Sequence, residues 1–265
     1  MSNFQRTLVQ IGAFAFKNWV ITKRNFFSLS EIFFWPLVGL FSVGLLTVFL
    51  RLDGSMTGFI LIGVMSMSII QVCQIDVVYA LLYDLWAKSM KHTFIAPIHP
   101  FQLISGAWLI GMARSIIVFL LLSLCSGLAF GFNFFQPGVI PLTLYLMGLF
   151  LVAVVIGIGV CILVLLFGYK AEVAAWSITS LMALICGIYY PVSILPFPLP
   201  QIAHALPLTY FLEYFRSLYG GNGRVDEVLI WGFGITGIYL AIETLLFKWV
   251  IRNARRRGTF IRLSE

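Results

Sequence analysis

Six stretches of this chain, residues 32–50, 58–82, 104–130, 139–167, 172–191 and 227–250, run as nearly unbroken apolar sequence. A helix needs roughly 20 apolar residues to cross the hydrocarbon of a bilayer, and each stretch reaches about that length. No water is present there to bond peptide groups, so each stretch must satisfy its own backbone as a helix. Composition agrees, with 61% hydrophobic and 10% charged residues over 265 and a mean hydropathy of +1.01. A soluble domain would carry about twice that share of charge. The expectation is an all-α integral membrane protein, a single domain over 1–265, with six transmembrane helices inside 32–250.

The distribution of cations predicts how the spans are oriented, because cytoplasmic loops carry the excess of Lys and Arg. With both termini inside, the inner segments hold Arg6, Lys17, Lys23, Arg24, Lys88, Lys91, Lys170, Lys248, Arg252, Arg255, Arg256, Arg257 and Arg262, which is 13 of the 17 basic residues. Arg51, Arg216 and Arg224 fall outside, and Arg114 is embedded. The net charge of +7 thus follows from topology and contact with anionic lipid, without nucleic acid. Residues 1–31 lack the compact apolar core and small-residue cleavage site of a signal peptide. Phe4, Leu8, Ile11, Ala15 and Trp19 recur at spacings of three and four, which predicts an amphipathic helix in the membrane interface or docked on protein. The basic tail, 251–265, reads as a lipid-facing anchor.

Several chemistries are disfavoured. Cys73, Cys125, Cys161 and Cys186 all lie in apolar runs, so no disulfide and no zinc site is expected. Gly232, Gly234 and Gly237 match the dinucleotide fingerprint but sit within a span with no preceding strand, and small residues there serve helix packing instead. There is no phosphate-cradling G-x-x-x-x-G-K-[ST] motif and no hydrolase signature. A six-span channel would need repeated arginines in the fourth span, and residues 139–167 contain no Lys or Arg.

The loop joining the second and third spans, DLWAKSMKHTFIAPIHPFQLISGAW, is the longest polar stretch expected between spans on the inner side. Residues 86–95 can form a short helix carrying Trp86, Lys88, Lys91, His92, Thr93 and Ile95, with Pro97 ending it. A rigid helix of this kind suits either docking into a groove on another protein or a solvated interfacial loop. Further on, five of the ten prolines fall within 189–207, YYPVSILPFPLPQIAHALP.

The order of basic amphipathic helix, six spans, inner-loop helix and a proline-broken segment before the last span resembles the permeases of the ABC type-2 transporter family. The resemblance rests on Tyr190, Pro191, Leu195 and Pro196, then Pro207, Leu208, Thr209 and Tyr210, then Glu213 and Arg216. Before the loop proline, where many relatives read G-T-L-E, this chain has Lys91, His92, Thr93 and Phe94. The resemblance implies that the inner loop is a coupling helix fitting a separate ATP-binding subunit, present in two copies. It also implies ATP and magnesium bound and hydrolysed on that partner, with no cofactor on this chain, and a second permease copy forming a homodimer or a pair with a similar chain. The implied location is a bacterial or archaeal plasma membrane, and the implied activity is export. Among its substrates, amphipathic drugs, antibiotics or lipid-like compounds are favoured over lipid-linked polysaccharide. A non-transporting membrane scaffold is the rival from another class.

Three ionisable residues lie within spans, where charge is costly. From the expected inner edges of their helices, Asp76, Arg114 and Glu243 sit at a similar depth of about 8 to 11 Å, which predicts that Arg114 contacts Asp76, Glu243 or both. On the outer side, the prolines predict a re-entrant helical hairpin between spans five and six, with Pro207 in the first turn of its second helix. Tyr189, Tyr190, Pro191, Leu195, Pro196, Pro207, Thr209, Tyr210, Glu213 and Arg216 are the candidate residues of an outer gate there.

Overall fold

The computed structural model describes residues 3–24, 26–90, 93, 100–220 and 225–256. Among them the chain forms nine α-helices: α1 (Asn3–Arg24), α2 (Phe26–Phe49), α3 (Gly54–Trp86), α4 (Pro100–Phe130), α5 (Val139–Phe167), α6 (Val173–Ile185), α7 (Leu199–Ala205), α8 (Pro207–Ser217) and α9 (Val225–Arg256). Five of these, α2 to α5 and α9, are long and apolar enough to cross a membrane. The chain is thus a multi-pass helical protein with a basic end, where α3, α5 and α9 finish and α4 begins. Its opposite, proline-rich end carries α7 and α8.

The stretch 172–191 departs from expectation. It is α-helical only over Val173–Ile185, preceded by a 3-10 turn at Gly168–Glu172 and followed by turns. Thirteen helical residues rise about 20 Å, short of the roughly 30 Å of hydrocarbon. Gly187 adopts a left-handed φ of 71° and Pro191 is extended, so the backbone leaves the helix while the residues remain apolar. Hydropathy registers the side chains and is blind to that break.

At the centre lies α3, packed against α2, α4, α5, α6 and α8. Its most apolar window is 67% buried, whereas that of α9 is 11% buried. The two helices are both apolar, yet one is the core of the bundle and the other leaves its sides uncovered. Ser66 of α3 hydrogen-bonds the Tyr145 hydroxyl of α5, and Tyr145 stacks on Phe215 of α8 with centroids 4.0 Å apart. The Trp108 indole of α4 donates to the Phe150 carbonyl of α5 at 2.9 Å. Polar groups within the bundle thus mark which helices are neighbours, where apolar contacts alone would be interchangeable.

Helix α1 lies along α4. Gly106 permits that approach, since a Cβ there would sit 2.8 Å from the Ile11 carbonyl oxygen. The docked side mixes apolar and polar residues, with Phe14 packed on the core, Asn18 and Thr22 buried, and Gln102 donating to Gln10 at 2.6 Å. Leu8 and Trp19, expected on one apolar face with Ile11 and Ala15, are 52% and 46% exposed. The helix therefore docks on protein by one side while leaving Leu8, Val9, Phe16 and Trp19 uncovered for another environment.

Candidate functional site

Three constellations bring the singled-out residues into view. The first is the buried charge pair. Arg114 of α4 donates to Asp76 of α3 and, through its other terminal nitrogen, to the Thr22 hydroxyl of α1. Both charged side chains are 9% exposed. A charge in this setting demands a partner, and α3 and α4 are the most intimately packed pair of helices in the bundle, so the pairing follows from their contact. Glu243 is elsewhere. It faces α5, where a Cβ on Gly159 would lie 3.2 Å from its carboxylate, because α9 packs chiefly on α5 and α8. Equal depth allowed a contact with Arg114 that the arrangement of helices denies.

The pair is incompletely satisfied. Asp76 Oδ2 and Arg114 Nε have no hydrogen-bond partner among the described residues. Both residues line a groove of about 210 Å³ bounded by α2, α3, α4 and α6 and continued by Tyr189. Its walls include Trp35, Tyr79 and Trp176, and its polar lining includes Ser68 and Gln71. Along α3 the lining runs from Val64 to Tyr79, a rise of about 22 Å and most of the hydrocarbon thickness. On α2 the lining includes Pro36 and Ile32. Proline has no N–H, so the Ile32 carbonyl loses its helical partner at this wall. An amphipathic molecule would find aromatic surface here beside the polar side chains of Glu31, Ser68 and Gln71.

The second constellation occupies the basic end. The predicted loop helix over 86–95 is corrected at its start: α3 continues through Trp86, which packs edge-on with Tyr79 and Tyr83 of the same helix. Lys88 then takes a left-handed φ of 53°, ending α3 as a C-terminal turn does. A new helical turn begins near Met90, which is buried, and Thr93 donates its N–H to the Ser89 carbonyl at 3.2 Å. Lys91, His92, Ile95 and Pro97 lie outside the described residues.

What anchors this turn is Asp84, a residue the sequence reasoning did not select. Its side chain is 4% exposed and accepts from Lys17 of α1, from Ser89 at 3.2 Å and from Thr93 at 2.9 Å. The Ser89 N–H also bonds the Asp84 carbonyl at 2.8 Å. One carboxylate thus joins the N-terminal helix, the end of α3 and the start of the inner loop. A signal existed, since Asp84 is the sole acidic residue between Asp76 and Glu172 and stands beside Lys88 and Lys91.

The third constellation is the proline-rich end. Pro207 is the first residue of α8, as expected, and the short helix α7 precedes it. Here Tyr190, Thr209, Tyr210 and Arg216 share one task, which is bonding backbone carbonyls, most of them left open where a helix ends. Tyr190 donates to Leu184, Thr209 to Ala203 at 2.7 Å, and Tyr210 to His204 at 2.8 Å. Arg216 does most. It donates to the Gly187 and Ile188 carbonyls at 2.7 Å each and to Phe59 of α3 at 3.1 and 3.2 Å, while its guanidinium lies 3.5 Å over the Phe59 ring. Burial lowers Arg216 to about 10, so it remains a cation at neutral pH.

Glu213 and Arg216 stand three apart on α8, yet neither is the main contact of the other. Glu213 instead lines an open cavity of about 820 Å³ with His204, Ser193 and Gln136, and burial raises its carboxyl above the usual value. Pro191 and Arg216 line the same cavity, whereas Pro196 is exposed and Leu195 packs on Val192 and Ala203. Tyr189, assigned to the outer gate, stands on the wall of the charge-pair groove. Among the described residues no cluster of His, Cys, Asp and Glu could hold a metal.

This combination of a buried charge pair, an anchored inner loop and a proline-broken outer segment spans the part of the chain that matches a known family. Residues 9–219 fit the ABC-2 type transporter membrane domain. The chain belongs to that family. A permease subunit of an ABC transporter is thereby indicated, and family members are membrane subunits that partner an ABC ATP-binding subunit. The match ends before α9, so the last helix of this permease rests on its own packing. A 53-residue segment is also 53% identical to an uncharacterized protein of Archaeoglobus fulgidus, covering 20% of this chain and 83% of that protein.

Proposed function

We propose that this permease exports an amphipathic or lipid-like compound from the cytoplasm or inner leaflet, driven by ATP hydrolysed on two copies of a separate subunit. The observation that carries this reading is the groove beside Arg114 and Asp76. It has aromatic walls, extends along about 22 Å of α3 and is lined on its polar side by Ser68, Gln71, Asp76 and Arg114. A ligand with an apolar body and a polar head matches both parts.

In this arrangement both termini and the basic end face the cytoplasm of a plasma membrane. The fifth crossing is completed by the 3-10 turn at one end of α6 and by residues 186–191 at the other. Two permease copies, identical or similar, enclose the path, and the Asp84-anchored loop receives the nucleotide-driven motion of the ATPase. Magnesium and ATP belong to that subunit.

The test is reconstitution of the permease with its candidate ATPase in liposomes, following export of a fluorescent amphiphile and the hydrolysis that it stimulates. Gln71→Ala and Trp176→Ala, both on the groove wall and outside the charge pair, should each shift the concentration of amphiphile giving half-maximal stimulation, with basal hydrolysis retained. If both leave that concentration unchanged, the groove is not the path. If no ATPase subunit is recruited, or if scrambling residues 86–95 has no effect, the exporter reading itself fails.

A further inference from the structure

We infer that the basic end carries a built site for the headgroup of an anionic phospholipid, between the start of α4 and the end of α9. It does not depend on the transport reading and requires only that α9 cross the membrane. Lys248, Arg252, Arg255 and Arg256 recur at spacings of four and three to four, which places them on one stripe of the last turns of α9. They line a groove of about 400 Å³ whose other wall is Phe101 and Phe247. Among the described residues no carboxylate lines it.

Its two halves have different chemistry. The Phe101 and Phe247 rings meet edge-on at 5.8 Å, and Lys248 sits 5.5 Å from the Phe101 centroid, so the apolar wall also holds one of the cations in place. Trp249 and Leu245, 60% and 67% exposed, continue the apolar surface of α9 up to the groove. A phosphate diester can therefore rest among the cations while its acyl chains follow α9 back into the bilayer. A soluble acidic surface would match the charges but leave the apolar wall and the adjoining lipid-facing side unused. The carbonyls at the C-terminal end of α9 add negative potential that favours its own arginines, and a bound phosphate would offset their mutual repulsion.

The experiment is native mass spectrometry of the full-length protein in detergent, titrated with phosphatidylglycerol, phosphatidylcholine or inorganic phosphate. Arg252→Gln with Arg255→Gln is compared against Lys23→Gln with Arg24→Gln, an equal charge change at the end of α1. Each arginine near an anionic headgroup is worth about fivefold in affinity, so the first pair should weaken phosphatidylglycerol binding about 25-fold. The second pair should leave it unchanged, Phe101→Ala should weaken it several-fold, and phosphatidylcholine should bind no variant selectively.

Equal weakening by both pairs would reduce the effect to bulk charge and overturn the site. Displacement of the lipid by millimolar inorganic phosphate would show a simple anion site and overturn the lipid assignment. Loss of ATPase-subunit recruitment by Arg252→Gln with Arg255→Gln, in bilayers of phosphatidylcholine alone, would assign the groove to a protein partner and overturn it equally.

Discussion

Replacing Arg216 by leucine should release the outer segment from α3. The wild-type guanidinium gives two short hydrogen bonds to Gly187 and Ile188 and shares two more with Phe59. A hydrogen bond to a charged group contributes about 1.5 to 3 kcal/mol, so leaving two carbonyls without this partner costs about 3 to 6 kcal/mol. Burying the cation opposes this, as the downward shift of Arg216 shows, and the net loss should be about 2 to 4 kcal/mol. For a domain of this size each kcal/mol moves the melting temperature by about 2 to 4 °C, giving a fall of about 4 to 16 °C. Arg216→Lys should lie between, because an ammonium cannot reach three carbonyls in the plane that the forked guanidinium spans. The local readout is Cys186, which is 1% exposed and adjoins the clamped carbonyls. With the other three cysteines replaced by alanine, Arg216→Leu should accelerate its labelling by a maleimide. An unchanged melting temperature together with unchanged labelling would refute the clamp.

Further outcomes follow from the same geometry. Arg114→Leu strands a buried carboxylate and should destabilise or misassemble the protein by about 3 to 5 kcal/mol, whereas Arg114→Gln with Asp76→Asn should recover part of that loss in a double-mutant cycle. Asp84→Asn and Lys17→Met should each loosen the inner loop, seen as faster proteolysis within residues 87–93, and their effects should be less than additive. Gly63→Ala would place a Cβ 1.9 Å from the Ile188 carbonyl oxygen and should cost about 3 kcal/mol or more in thermal denaturation. Gly234→Ala, with nothing within 4 Å, should be neutral or gain up to about 1 kcal/mol. Glu213 lies outside the five spanning helices and its folded value is raised, so its contribution is favourable below the ordinary carboxylate range and is lost as pH rises through the shifted value. Glu213→Gln should therefore raise the melting temperature more at pH 8 than at pH 4, and the opposite order would contradict the assignment.

Legibility differed from site to site. The charge pair was legible because an embedded arginine must have a partner, and depth along a helix can be counted from sequence. Its choice of Asp76 over Glu243 was not, since both lie at similar depth and only the contact between α3 and α4 distinguishes them. The outer motif was legible as a place, through its prolines, but its residues bond carbonyls across gaps that sequence spacing does not reveal. Phe59 and Arg216 are 157 positions apart. Asp84 escaped notice because its partners, Lys17 and Thr93, come from two other segments.

Hydropathy alone determined that this chain lives in a bilayer as a helical bundle, because apolar runs of about 20 residues in hydrocarbon must bond their polar peptide groups internally. Prolines alone determined that the bundle must be interrupted before its last helix, because they lack the donor that a helix needs. Only the tertiary structure decided that α3 is the core and α9 a peripheral helix, since apolar side chains are equally content against protein or lipid. It also decided that Arg216 clamps the broken segment to α3, because satisfying an open carbonyl depends on what stands opposite it in space.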